Sequence, residues 1–177
     1  MSGRIVWITG PFGVGKSTTA LHLLAANPGW RYFDPEQVGY MLRACLGTEG
    51  GADFRDLSAW RRLVPIVASE VAARTGEDLL AVQTVTNEDH WRELSSGLEE
   101  AGFTVSLVVL DCDEDVLRAR IEADTVDPGA GEWRLDHVDE FVEARPWLVA
   151  VADAVLDTSS ITAEEAADEL GDVLTRI

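Results

Sequence analysis

The sequence predicts a three-layer α/β domain: a five-stranded parallel sheet with helices on both faces and a small lid. Three observations carry this expectation. Short apolar runs that do not alternate with polar residues recur along the chain, as strands buried on both faces do. Segments of helical period separate them. A glycine-rich loop ends the first run and opens the first helix. The length of 177 residues suits one domain, so residues 1–177 are read as a single unit.

In chain order, Ile5-Val6-Trp7-Ile8 reads as the first strand and Thr18 to Ala26 as the first helix, stopped before Asn27-Pro28-Gly29. Arg31-Tyr32-Phe33 is a weaker strand. Trp60, Leu63, Val64, Val67 and Val71 share one helix face, which Pro65 is expected to kink or to start. Leu79 to Val82 is the third strand. Asn87 caps a helix carrying Trp91, Leu94 and Leu98, which Gly102 ends. Val105 to Leu110 is the longest apolar run, and Asp113 caps a helix with Val116, Leu117 and Ile121 inward. Leu135, Val138, Phe141 and Val142 make a further short helix, and Ala154-Val155-Leu156 is the last strand. Thr162 and Glu165 form a capping box for a last helix with Ala166, Leu170, Val173, Leu174 and Ile177 inward. Gly47 to Asp53 and Asp124 to Glu132 are poor in apolar residues and read as mobile segments.

Composition excludes several classes of function. Thirty-two acids against fourteen bases give a net charge of −18, which repels phosphate backbones and anionic lipid, so no nucleic-acid partner is expected. No apolar run approaches the ~20 residues of a membrane span. The chain enters its first strand with no basic leader, and a cytoplasmic protein, monomer or homodimer, is expected. Cys45 and Cys112 show no metal or redox spacing and read as reduced core thiols. His22, His90 and His137 lack ligand spacing and read as structural or surface residues.

Thirteen of the fourteen basic residues are arginine, and the one lysine is Lys16. It sits in Gly10-Pro11-Phe12-Gly13-Val14-Gly15-Lys16-Ser17, a G-x-x-x-x-G-K-S phosphate loop between a strand and a helix. Glycine lets the backbone wrap closely around phosphates, successive N–H groups form an anion nest, and the helix adds its positive end. Lys16 is expected to reach the β/γ oxygens, Ser17 to ligate Mg²⁺, and Thr18 to touch the α-phosphate of ATP. An Asn-Lys-x-Asp guanine-reading loop would need a second lysine, and the chain is short for transporter, motor or ring ATPases. A small kinase remains, with a lid near 118–135 and substrate-side helices near 35–75.

Trp7-Ile8-x-Gly10-x-Phe12-Gly13-x-Gly15-Lys16-Ser17 resembles the phosphate loop of the tunicamycin-resistance ATP-binding proteins. So do Asp34-Pro35-Glu36-x-x-Gly39-x-x-Leu42-Arg43, Asp53-Phe54 followed by Trp60-Arg61, and Thr84 at a strand end. The similarity runs from about residue 5 to 110. It implies a nucleoside-monophosphate-kinase-like fold, ATP binding, and antibiotic resistance or phosphorylation of a small molecule.

Asp34 follows the second strand, where parallel sheets face their ligand crevice. It is a candidate to orient or deprotonate an acceptor hydroxyl, and equally a helix cap. Arg43 and Arg61 are either substrate contacts or partners of surface acids, and Trp60 is a core residue or a ligand platform. Gln83 and Thr84 end the third strand on the substrate side; Asp111 is a second candidate for the metal. Arg118, Arg120 and Arg134 flank the lid, where a guanidinium would stabilise the transferring phosphoryl group. Thr158-Ser159-Ser160 is the candidate adenine contact. The expected function is transfer of the ATP γ-phosphate to a hydroxyl of an antibiotic or nucleoside-like compound. A metabolite or nucleotide kinase and a non-catalytic ATP-dependent drug-sequestering protein are the alternatives.

Overall fold

A computed structural model describes residues 3–47, 53–125 and 128–177. Five parallel strands stand in the order β2-β3-β1-β4-β5: β1 (Gly3–Thr9), β2 (Trp30–Phe33), β3 (Asp78–Val82), β4 (Phe103–Asp111) and β5 (Ala154–Asp157). The central strand β1 pairs Ile5 with Leu79 on one side and Val105 on the other. The five strand positions agree with the apolar runs. The reason is burial: Ile5, Val6, Trp7 and Ile8 are all sealed from solvent, so both faces of β1 must be apolar.

The two faces build two cores. Ile5, Trp7, Leu79, Ala81, Leu107 and Val109 point into one. The helices α2 (Glu36–Leu46), α3 (Ser58–Thr75), α4 (Glu88–Glu100) and α7 (Val138–Val151) cover it. Val6, Ile8, Leu80, Val82, Val108 and Leu110 point into the other, under α1 (Lys16–Ala26), α5 (Glu114–Glu122) and α8 (Ala163–Leu174). The short α6 (Gly131–Asp136) follows a 3₁₀ turn at Pro128–Ala130 and joins the phosphate loop rather than the sheet. The capping box of Thr162 and Glu165 is formed, and Asn87 Oδ1 accepts from His90 N at 3.0 Å as its helix cap.

Several local expectations are corrected. Pro65 neither starts nor ends a helix: α3 begins seven residues earlier at Ser58, and Pro65 is buried against Gly97, whose added Cβ would stand 3.0 Å from its ring. Asp113 stands at the start of α5 without a side-chain cap bond. Val142 is exposed, and the single helix expected over Leu135 to Val142 is two, with Leu135 on α6 and the rest on α7. Cys45 is exposed and Cys112 is only partly buried, so neither is a core thiol. Of the two segments read as mobile, residues 48–52 and 126–127 lie outside the described residues. Among the described residues no helix is long and apolar enough to cross a membrane.

Candidate active site

The phosphate loop joins β1 to α1 at the carboxyl edge of the sheet. Its glycines are required by geometry. Gly13 and Gly15 have φ of 87° and 100°, in the left-handed region that other residues resist. A Cβ on Gly10 would come within 2.3 Å of Leu110 O, whereas one on Gly15 would meet nothing within 4 Å. Gly15 therefore faces open space at the N-terminus of α1, where no side chain caps the first-turn N–H groups. Free amides, a positive helix end and open space make an anion cradle.

Lys16 folds back on its own loop: Nζ donates to Gly10 O at 3.0 Å and Pro11 O at 2.8 Å, and stands 5.4 Å from the Phe12 ring centroid. Desolvation, with the positive charges of Arg55 and Arg134 nearby and Glu36 opposing them, lowers its pKa to about 7. The ammonium thus sits among partial substitutes for phosphate oxygens.

Two cavities flank this loop. One, of about 290 Å³, lies between Gly13 and Gly15 of the loop, Thr18 and Thr19 of α1, and Arg120, Thr158, Ile161 and Ala163. Thr158 is placed here as expected, but Ser159 does not line the cavity; its hydroxyl is bonded to the Asp157 carboxylate. Arg120, expected near the transferring group, holds this cavity's wall. Its Nη2 donates to Thr158 O at 2.6 Å and Nη1 to Thr158 Oγ1 at 3.2 Å.

The other cavity, of about 320 Å³, opens on the opposite side. Trp60, Val85 and Leu94 give it apolar surface; Thr84, Thr86, Asn87, His90 and His137 give it polar groups; Asp53, Arg55, Asp56 and Glu140 give it charge. Trp60 and Thr84 are the expected residues found here. Trp60 is nearly buried and donates its indole N–H to Pro35 O at 2.9 Å. Thr84 Oγ1 donates to Gly10 O at 2.9 Å, tying the cavity to the loop.

The other acceptor-side candidates are differently placed. Arg61 is buried, pairs with Glu93 at 2.5 Å and donates to Arg55 O at 2.7 Å, so it braces α3 against α4. Gln83 is 2% exposed, lines neither cavity, and leaves Oε1 without a hydrogen bond. Arg43 lies 5.0 Å over the Phe54 ring, outside both cavities. Arg118 is partly buried on α5 and paired with Glu114 and Asp139. Arg134 pairs with Asp124 and acts on Lys16 through its charge. Asp111 pairs with Arg145 at 2.6 Å and lines neither cavity.

Asp34 ends β2 and is half-buried. Oδ1 accepts from Glu36 N at 2.9 Å and Oδ2 from Gln37 Nε2 at 2.9 Å, so the helix-cap role is formed. It lines neither cavity. Ser17 meets the Tyr32 hydroxyl, and both Asp34 and Glu36 act on that hydroxyl through charge. Glu36 is also the carboxylate whose charge acts most strongly on Lys16. One of its oxygens, Oε2, accepts from Tyr40 at 2.9 Å; the other is open. Burial, with this hydrogen bond and charge, pushes the Tyr40 hydroxyl up to about 12.

Sequence reasoning missed Glu36, Arg55, Glu140, His90 and His137. Arg55 is the most informative. It comes from the 3₁₀ turn Phe54–Asp56, lies 5.7 Å from the Phe12 ring centroid, and lines the larger cavity, so it links loop and cavity. Burial opposes its charge, but the hydrogen bond and charge of Asp53, with Glu140 and Asp56, hold the guanidinium above its usual pKa. Its Nη1 is buried with no hydrogen-bond partner. The only signal was Asp53-Phe54-Arg55-Asp56, an arginine between acids, which looks like a surface pair. His137 is no bystander: with Trp133 it packs on Phe12, at ring separations of 5.8 and 4.6 Å, and closes α6 over the loop.

A phosphate loop at the carboxyl edge of a five-stranded parallel sheet, with a cavity on either side and a helix over its tip, defines a P-loop kinase-like α/β domain. The family model described as AAA domain matches residues 5–140, and the chain belongs to that family. No curated protein matches it. Among solved structures it is similar to a tunicamycin resistance protein of Deinococcus radiodurans, at 26% identity over 97% of this chain and 95% of that one, with a TM-score of 0.71. A gluconokinase from Sinorhizobium meliloti 1021 shares 17% identity over 98% and 92% of the two chains, with a TM-score of 0.66. A shikimate kinase from Bacteroides thetaiotaomicron shares 18% over 97% and 98%, with a TM-score of 0.63. The last two likenesses carry the fold alone.

Proposed function

We propose that this chain is an ATP-dependent phosphotransferase that moves the γ-phosphate to a hydroxyl of a small molecule, with a hydroxylated antibiotic or nucleoside-like compound as the acceptor class. The observation that carries this reading is a phosphate loop that lines one cavity and is tied to a second by Thr84, which donates to Gly10 O, and by Arg55, which lies over the Phe12 ring. The nucleotide base occupies the cavity of Thr18, Arg120 and Thr158, and the acceptor the cavity of Trp60 and Thr84.

Phosphates take the place of the Gly10 and Pro11 carbonyls on Lys16, so the ammonium exchanges partners instead of losing them. Mg²⁺ fits beside the loop, where the Ser17 hydroxyl is a hard-oxygen ligand of the kind this ion takes. It would neutralise charge on the β- and γ-phosphates. Asp34 is assigned to fixing the start of α2, which turns Glu36 toward Lys16. Glu36 takes the proton as the acceptor oxygen bonds to the γ-phosphorus and the bond to the ADP oxygen breaks. Arg134 and the unpaired Arg55 Nη1 face the phosphoryl oxygens. The α6 helix over Phe12 excludes water, which would otherwise compete as acceptor. The protein acts in the cytoplasm, where ATP is abundant.

The test is ADP release with and without hydroxyl compounds. ADP formation that rises with an added acceptor and yields its phosphate ester is the expected result. Tight ATP binding with no acceptor-dependent turnover across a broad panel would leave a binding protein instead.

A further inference from the structure

The charge of the acceptor can be read from its cavity, given the phosphotransfer reading above. Among the described residues Arg55 is the one arginine or lysine lining that cavity. Its charge is already matched. Nε donates to Asp53 Oδ2 at 2.8 Å, Nη2 stands 2.6 Å from the same oxygen, and Glu140 is 3.7 Å from Nη2. Asp53 also accepts from the Arg55 backbone N–H at 2.9 Å, which fixes the pair at the start of its 3₁₀ turn. An acceptor carboxylate, sulfate or phosphate would find only Nη1 of this guanidinium without a partner, and would compete for it with the transferring phosphoryl group. Displacing Asp53 instead would leave a buried charge without its partner, which is unfavourable.

Negative charge, by contrast, is in excess. Asp53, Asp56 and Glu140 line the cavity against one arginine. With Asp53 matched, two carboxylates remain. The Asp56 side chain makes no hydrogen bond or ion pair among the described residues. Glu140 uses Oε1 for the Thr86 hydroxyl and the side of Arg55, which leaves Oε2 open to the cavity. The aromatic lining points the same way. The Trp60 N–H is engaged by Pro35 O, so what this residue offers the cavity is ring carbon, and indole is the strongest aromatic partner for a cation. Thr84, Asn87 and His90 supply neutral groups for the hydroxyls of the same ligand.

We propose that the acceptor is a hydroxyl compound bearing a protonated amine, held by the Asp56 and Glu140 carboxylates and the Trp60 ring. The cavity is then built for a cation, and its arginine is reserved for the transferring group rather than for an anionic substrate.

The experiment uses the full chain with ATP and Mg²⁺ and compares glucosamine with N-acetylglucosamine, glucose and gluconate. These share a six-carbon polyol skeleton and differ in charge. ADP release gives turnover, and calorimetry with a non-hydrolysable ATP analogue gives binding. Glucosamine is expected to be preferred in both. Glu140→Gln and Asp56→Asn are each expected to raise its KM roughly tenfold, as loss of a charged hydrogen-bond partner does. Glu140→Asp, which keeps the charge, recovers most of that loss, and ATP affinity holds throughout. Turnover with glucose or gluconate but not glucosamine overturns the proposal and leaves phosphotransfer standing. Binding of glucosamine that depends on both carboxylates, without ADP release from any compound, leaves the cation site standing and removes the transfer reading. No preference for the amine in binding or turnover overturns the proposal outright.

Discussion

The cavity over Thr18 and Thr158 has the phosphate loop as a wall, the cavity over Trp60 and Thr84 touches that loop through Thr84 and Arg55, and the two differ in almost everything else. The first is made of backbone and small side chains from the loop, α1 and the segment after β5, and its one guanidinium is bonded to main-chain carbonyls. The second is made of side chains from the α2–α3 connection, α3, the segment after β3, α4 and α7, and its charges are set against one another. Main-chain geometry recognises what every nucleotide triphosphate shares. Opposed side-chain charges recognise what distinguishes one small molecule from another. Substitutions in the first are therefore expected to change ATP binding, and those in the second to change turnover and acceptor choice.

The largest expected effect is on the reacting groups between the cavities. Glu36→Gln should lower acceptor-dependent kcat by ~10²–10⁴-fold, the usual contribution of a general base, with ATP affinity within a few-fold. Asp34→Asn keeps the cap to Glu36 N and should cost far less in kcat. Steady-state kinetics of the two variants side by side decide between them; an Asp34→Asn loss as large as that of Glu36→Gln would return the base to Asp34.

Next in size is Lys16→Met, which should weaken ATP by ~10–10²-fold in calorimetry, as loss of a charged hydrogen-bond donor does. It should not destabilise the nucleotide-free protein, because the ammonium it removes is desolvated. A melting temperature well below that of the wild type would contradict this.

The same lysine sets a pH dependence. Burial brings its pKa down to about 7 from the usual lysine value of 10.5. Between these values the unfolded chain binds more protons than the native one, so this group makes stability rise with pH across that window. Phosphate oxygens favour the charged form, so at pH 8–9 ATP binding should take up a proton, toward one per nucleotide. Calorimetry in buffers of different ionisation enthalpy measures it, and an enthalpy independent of buffer would show the lysine already charged.

Smallest is the change at a helix cap on the rim of the nucleotide cavity. Thr162→Ala removes the capping box of α8 and should cost ~1 kcal/mol in denaturant unfolding.

This contrast also explains what was legible in the sequence. The five strands and the phosphate loop could be read because each is a local pattern: Leu107 to Leu110 has to be apolar on both faces, and Gly13 and Gly15 have to be glycine. The acceptor side could not be read because no local pattern encodes it. Arg61 and Arg55 are six residues apart in a segment rich in charge; folding sends one against Glu93 and the other to Phe12 and Asp53. Periodicity does not distinguish them, since the difference lies in which partner each meets across the fold. Arg120 shows the same limit, since its place on α5 gave no sign that it would turn to the carbonyl of Thr158. His90 and His137, 47 positions apart, come together only because α4 and α7 cover the same face of the sheet.

The separation of the two ligands is tested most directly by a crystal structure with ADP, Mg²⁺ and aluminium fluoride. The account predicts the adenine between Arg120, Thr158 and Ala163, and the fluoride between Lys16 and Arg55 Nη1, with the cavity of Trp60 and Glu140 left open for acceptor. Adenine stacked in the Trp60 cavity, or a fluoride out of reach of Arg55, would contradict it.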